Sequence, residues 1–381
     1  MSLPLLEGHR GALESCTFCP KLCRAACPVS AADGRETTTP WGKMSDAFLV
    51  ASGSLPRNES HAALAWACTG CRACRQACDL RNEPAETLFD ARAEYFAAGV
   101  APAAVKAHVS RRSERSEDHA RAVGSAILRA RARGARVDDA ADVAVLVGCG
   151  VDADDPGDPL ADAIVAAAQL VGRPVAVLRG CCGRDSFAAG DRPGLLADAS
   201  ALAASLVGKN TLVVADAECL ETLRVAYPRR ELALPPTELV HLVELAAAGL
   251  PRLGRLGAAA VRYHDACAMG RGLGLYEAPR QVLARVFGAA PAELPRSREW
   301  GTCSGGGGLL PETMPEVART IAESRAAEHA AAGGGIVVTA CPRAARNLRK
   351  SGVEVRLLVS VVAASLEAAS ARPALGDGSA G

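Results

Sequence analysis

The sequence predicts an α+β multidomain protein: a helical, cysteine-dense N-terminal segment followed by two α/β modules of Rossmann-like type. Three observations predict it. Eight of the fifteen cysteines fall in two short runs before Asn82. Beyond about Asp142, apolar, β-rich stretches alternate with alanine-rich helical ones, the pattern of parallel sheets covered by helices on both faces. The remaining seven cysteines recur as two copies with matching offsets, the mark of an internal repeat.

The run CTGCRACRQAC holds Cys68, Cys71, Cys74 and Cys78 in C-x2-C-x2-C-x3-C spacing, within a helical turn or two of one another. Bacterial iron-sulfur ferredoxins use this spacing, and the fourth cysteine there ligates the other cluster of a two-cluster protein. A partner run is therefore predicted. It lies upstream, where CTFCPKLCRAACP carries Cys16, Cys19, Cys23 and Cys27, followed by Pro28. Two 4Fe-4S clusters are expected with crossed ligation, one on Cys16, Cys19, Cys23 and Cys78, the other on Cys68, Cys71, Cys74 and Cys27. The first run has an additional residue between its second and third cysteines, and the second has Asp79 where proline is usual. The additional residue should re-aim one thiolate and leave the ligand count intact. Structural zinc is the competing reading, because C-x2-C pairs also build tetrahedral sulfur sites. Eight thiols in two ferredoxin-like runs favour clusters.

At 381 residues the chain is long enough for two or three domains. The segment MSLPLLEGHRG has no sustained apolar stretch before Glu7, so no export signal is read there. With an odd number of cysteines and close C-x2-C spacings, a reducing cytoplasm and metal-bound thiolates are expected in preference to disulfides. The net charge of +1 leaves no whole-protein field to draw nucleic acid or an anionic membrane. No apolar run approaches the roughly 18 residues of a membrane span. The stretch LLVSVVAASL near Leu357 is read as a core strand running into a helix. Membrane contact is expected to be indirect, peripheral to the inner membrane through partner subunits.

The first segment, to about Asn82, needs little apolar core, since metal-thiolate bonds supply folding energy. Trp41 and Trp66 stand near its cysteines and are read as packing that shields a cluster from water. From Glu83 to about Asp142 the chain reads as helical; Gly99 and Pro102 end the first helix. Between Arg111 and Arg136 there are eight arginines against three acids. Without interleaved aromatics this is a solvated connector or docking helix, not a nucleic-acid patch. The runs DVAVLVGC, PVAVLRGCC, TLVVADAEC, AVRYHDAC and GIVVTACP are then strands, each ending in a cysteine. That places the thiols at the carboxyl ends of parallel strands, where sites form in open sheets.

In the first copy the thiols are Cys149, the pair Cys181 and Cys182 followed by Gly183, then Cys219; in the second they are Cys267, Cys303 followed by Ser304 and Gly305, then Cys341. Cys182 to Cys219 and Ser304 to Cys341 are both 37 positions. These motifs, from CTFCPKLCRAACP through RGCCG, YHDACAMGRGLGLYEAP and CSGGGG to TACPRA, resemble the cysteine-rich CCG-domain proteins. That family is related to heterodisulfide reductase catalytic subunits and to the iron-sulfur subunits of glycolate, lactate and glycerol-3-phosphate dehydrogenases. The resemblance implies an α-helical two-cluster ferredoxin domain (1–82), a helical connector (83–141), a first CCG module (142–255), a second, degenerate one (256–370) and a disordered tail (371–381). It also implies electron transfer between a redox partner and a disulfide, quinone or flavin.

The family module, C…CC(G)…C-x-x-C, can hold a non-cubane 4Fe-4S cluster on five thiolates. Here Thr222 stands in the last position of the first copy, leaving four thiols for an ordinary cluster or zinc. In the second copy Ser304 and Ala344 replace two cysteines, and three thiols remain, to which His264 or Ser304 would have to be added for a metal. The glycines Gly305 to Gly308 lack the lysine and spacing of a phosphate loop and are read as admitting backbone amides to sulfur. GRGLG at Gly270 is read as a turn. The leading reading is an iron-sulfur electron-transfer subunit partnered by a flavoprotein dehydrogenase or an electron-transferring flavoprotein, with the second module structural or a partner surface. The alternatives are a disulfide reductase working at the first module and a zinc-bound scaffold.

Overall fold

The computed structural model describes residues 1–151 and 155–371; residues 372–381 of the expected tail lie outside them. The N-terminal part is helical. Thr39 caps the helix Pro40–Ala51 by accepting the Gly42 N–H at 3.0 Å, and Asn58 caps Glu59–Trp66 through the His61 N–H. Regular helix in the second cysteine run is confined to Ala73–Gln76. The run is thus a loop entering a short helix, because Gly70 and Arg72 both adopt positive φ. A core of Leu3, Leu6, Leu13, Met44, Trp66, Leu88 and Tyr95 packs these helices together with Pro84–Ala97. Gly99, at φ 75°, ends that last helix where the glycine predicts it.

The α/β part holds two parallel sheets. β1 (Val143–Leu146), β2 (Ala176–Leu178), β3 (Thr211–Val214) and β4 (Glu238–His241) lie in the order β2-β1-β3-β4, with Val145 opposite Val177 and Val213. β5 (Val261–His264), β6 (Ile336–Thr339) and β7 (Val355–Leu357) lie in the order β5-β6-β7. A lone bridge between Arg262 and Ala292 stands beside β5 where the first sheet has β2. Pro291 and Pro295 flank that bridge, and proline cannot donate to a ladder, so the edge does not extend into a strand.

Strand periodicity covers both faces of the first sheet. Val143, Val145 and Val147 enter one core, and Ala144 and Leu146 enter another with Leu212 and Val214. The first of these cores is continuous across both sheets, taking in Tyr263, Val338 and the helix Leu358–Ser370. The arginine-rich helix Arg112–Ala132 joins it through buried Val123, Ala126, Ile127 and Ala130, leaving its arginines on the other face. No helix among the described residues is long and apolar enough to cross a membrane. The stretch at Leu357 is a strand end followed directly by a helix, as its pattern predicts.

Candidate metal centres

The crossed set Cys16, Cys19, Cys23 and Cys78 lines a single cleft of about 350 Å³, with Cys74 also on its wall. The additional residue of the first run is absorbed at Lys21, whose left-handed φ of 69° turns the chain into the short helix Leu22–Ala26. Asn82 donates to Cys16 Sγ at 3.4 Å and to Ser15 Oγ at 2.9 Å. Trp41 forms part of the cleft wall, held by its Nε1 on Thr17 O, with the Lys21 ammonium 4.0 Å from its ring centroid. Burial pushes the Cys23 thiol up to about 11. Exposed Phe18, Leu22 and Leu80 surround the mouth.

Cys27, Cys68, Cys71 and Cys74 surround a buried lysine. Lys43 Nζ donates to Ala67 O at 2.6 Å and lies 3.8 Å from Cys27 Sγ. Burial alone would lower its pKa, but the charges of Cys27, Cys68, Cys74 and Cys71 raise it. Arg92, fully buried, donates to the carbonyls of Ala65, Cys68, Ala188 and Gly308. Burial lowers its pKa to about 9 against the pull of Cys68. Arg271 donates through Nε to Cys71 O at 2.6 Å and through Nη1 to Glu299 O and Gly301 O, while its buried Nη2 has no hydrogen-bond partner among the described residues. None of these three cations has a carboxylate partner among the described residues. Buried charge of one sign is costly unless an opposite charge meets it. A four-thiolate iron-sulfur cluster is such an anion, so the donor set and its surroundings fit the group.

Arg72 orients the inner run. Its guanidinium pairs with Glu86 at 2.7 Å and with Glu221 of the first α/β unit. The glycine run lies against the same loop from the other side: a Cβ on Gly308 would sit 2.3 Å from Cys68 O, and one on Gly307 2.6 Å from Thr69 O. These glycines therefore admit backbone to backbone. Within this glycine run the amide directed at sulfur, among the described residues, is Gly305 N–H, 3.4 Å from Cys303 Sγ.

Cys303 packs against both Cys71 and Cys267, an arrangement that holds those two down and pushes its own pKa well up. Two of the three thiols of the second copy thus lie against the inner run. Cys341 sits in the large core instead, its Sγ accepting the Ala344 N–H at the start of Pro342–Lys350. His264 ends β5 with Nδ1 unpartnered among the described residues, and burial lowers it to about 3, so its imidazole is neutral. In the first copy Cys149 lies 3.7 Å from Cys181, and Cys182 lies 3.2 Å from Cys219. Gly148 makes this possible: a Cβ there would be 2.5 Å from the Cβ of Asp216, which caps the helix carrying Cys219. Arg343 of the second half pairs with Glu218 and Asp185 of the first, tying the two copies together.

The profile of the 4Fe-4S dicluster domain matches residues 12–82, and that of the cysteine-rich CCG domain matches residues 261–349. Residues 12–82 and 261–349 thus match the two kinds of domain expected of the CCG-domain iron-sulfur oxidoreductases. The CCG-domain match falls on the copy that keeps three thiols. The chain is 30% identical over 169 residues, 42% of its length and 41% of the relative's, to a subunit of the dihydromethanophenazine:CoB–CoM heterodisulfide reductase of Methanosarcina barkeri. It is 25% identical over 329 residues, 82% of its length and 63% of the relative's, to a subunit of the fumarate reductase (CoM/CoB) of Methanothermobacter marburgensis. A probable iron-sulfur-binding oxidoreductase, FadF, of Bacillus subtilis is 33% identical over 82 residues, 22% of this chain and 12% of that one. The matched stretches span about two fifths of the heterodisulfide reductase subunits.

Sequence reasoning missed Lys43, Arg92 and Arg271. Each stands among small or apolar neighbours, in WGKMSDAF, FDARAEYF and CAMGRGLG. A lone cation on an otherwise apolar helical face was the available signal for the first two.

Proposed function

We propose that this CCG-domain chain is an iron-sulfur electron-transfer subunit that passes electrons between a flavoprotein dehydrogenase or electron-transferring flavoprotein and a disulfide- or quinone-type acceptor. In this reading residues 1–82 hold two 4Fe-4S clusters by crossed ligation, residues 142–255 and 256–370 are two Rossmann-like CCG modules, and the complex is cytoplasmic with indirect membrane contact. The observation that carries it is the contact of Cys303 with Cys71 and Cys267, which joins the inner ferredoxin quartet to the thiols of the α/β half.

Bound cubanes supply one-electron storage at potentials set by charge, hydrogen bonds and exposure. The chain's residues do the rest. Arg72 and the glycine run hold the inner loop against the α/β half, and Trp41 and Asn82 wall the cleft of the outer quartet. Phe18, Leu22 and Leu80 offer an apolar rim where a partner's redox group would approach.

The test is the iron, sulfide and zinc content of anaerobically purified protein, with low-temperature EPR after dithionite and after thiol or disulfide addition. About eight iron and eight sulfide with reduced-cubane signals is the expected result. Stoichiometric zinc without iron would sink the reading and leave a scaffold.

A second reading, disulfide reduction at the first module, is favoured by a cleft of about 510 Å³ that has Cys149 and Cys181 on its wall beside Arg112, Arg115 and His119. Four thiols are available there for a third cluster or zinc. About twelve iron, with a signal that responds to thiol, would promote it.

A further inference from the structure

We infer that Lys43 and Arg271 hold the reduction potential of the inner quartet, Cys27, Cys68, Cys71 and Cys74, above that of the outer one, so that electrons entering at the exposed mouth run inward. This rests on the two-cluster reading above and assigns a direction to it.

A four-thiolate cubane is anionic, and one-electron reduction adds a further negative charge. Burial by itself opposes that addition, because a charge removed from water loses its solvation. The inner quartet is the more deeply enclosed of the two: Cys27 and Cys71 are buried, while all four outer thiols are partly exposed. Without compensation it would be the harder to reduce. Among the described residues, buried cations without a carboxylate partner stand at this quartet and not at the outer one. Lys43, 2% exposed, directs its ammonium at Cys27 Sγ, and Arg271, 5% exposed, keeps an orphan Nη2 donor beside Cys71, Cys267 and Cys303. Neither charge is spent on a carboxylate among the described residues. At the outer quartet the cations stand toward solvent: Lys21 and Arg24 both pair with Glu36, and exposed Arg81 donates to Gln76. Exposed pairs are screened by water, whereas charges in the interior act at low effective dielectric. The fixed charge that favours the reduced form is therefore concentrated on the inner site.

The experiment is an EPR-monitored redox titration of the full, cluster-loaded chain, preceded by iron analysis. The unmodified protein should reduce in two resolved steps. Lys43→Gln keeps a donor for Ala67 O and removes the charge. It should lower the upper step by at least tenfold in its one-electron equilibrium, about 59 mV, and leave the lower step in place. Lys43→Arg should restore it. Arg271→Gln, on a separate element, should lower the same step and serves if the Lys43 variants load poorly. A structural role alone would change iron content or move both steps together. With about eight iron bound, an unmoved upper step in both Gln variants, or a shift confined to the lower one, overturns the inference and leaves the two-cluster reading standing. Iron well short of that in the unmodified protein overturns both.

Discussion

The Cys303 side chain packs against that of Cys71, so that the α/β half meets the second cysteine run at two thiols. Beside it, Arg271 of the same half donates to the Cys71 carbonyl at 2.6 Å. The backbone and the side chain of one cysteine are thus both held by residues from the far part of the chain.

That contact predicts a cross-link. After iron is removed with a chelator, mild oxidation should join Cys71 to Cys303 and Cys182 to Cys219, since thiols already touching need only close to about 2.05 Å. Peptide mass spectrometry without reduction reads both. Recovery of Cys71 alkylated, with Cys303 paired elsewhere, would count against the contact.

Arg92→Met should be among the most damaging single changes outside the cysteines. It orphans the carbonyls of Ala65, Cys68, Ala188 and Gly308 in the interior, and the expected loss is about 3 kcal/mol. The melting temperature of loaded protein should fall by roughly 5–10 °C. Arg92→Lys should recover little, because one ammonium cannot span the acceptors that a planar fork reaches.

His241 predicts an acid limb. Its ring caps the helix Leu242–Ala248 by accepting the Val243 N–H, and burial lowers it from an ordinary 6.5 to about 3. The folded state therefore binds fewer protons than the unfolded one between those values. The stability this contributes is complete above about pH 6.5 and is lost as pH falls toward about 3. His241→Asn, which keeps a cap, should flatten thermal stability across that window. An unchanged slope would place the acid sensitivity elsewhere.

Chelation should loosen the N-terminal part first. Metal-thiolate bonds contribute folding energy directly, so loss of iron should open tryptic cleavage at Lys21, Arg24 and Arg81, while the α/β half with its continuous core stays intact. Equal protection with and without iron would show that the helical core around Leu13, Met44 and Trp66 suffices.

Several elements were legible because their causes are local. The ligand runs are set by spacing along a few residues. The strands are continuous apolar stretches, and Gly99 ends its helix at φ 75° for want of a Cβ. The sequence predicts that the glycines after Cys303 aim amides at sulfur, and among the described residues only Gly305 does; Gly306 clears the Arg343 carbonyl, and Gly307 and Gly308 clear the loop at Cys68 and Thr69. Those partners are contributed by distant segments, and nothing near the glycines names them.

Ligand type, ligand spacing and strand pattern are written in the chain, because bond geometry and side-chain period act over a handful of residues. Which thiols face one another, and which cations are left buried without a carboxylate, is a matter of packing. Lys43, Arg92 and Arg271 differ from the chain's exposed cations not in chemistry but in the low-dielectric space that the folded cores close around them.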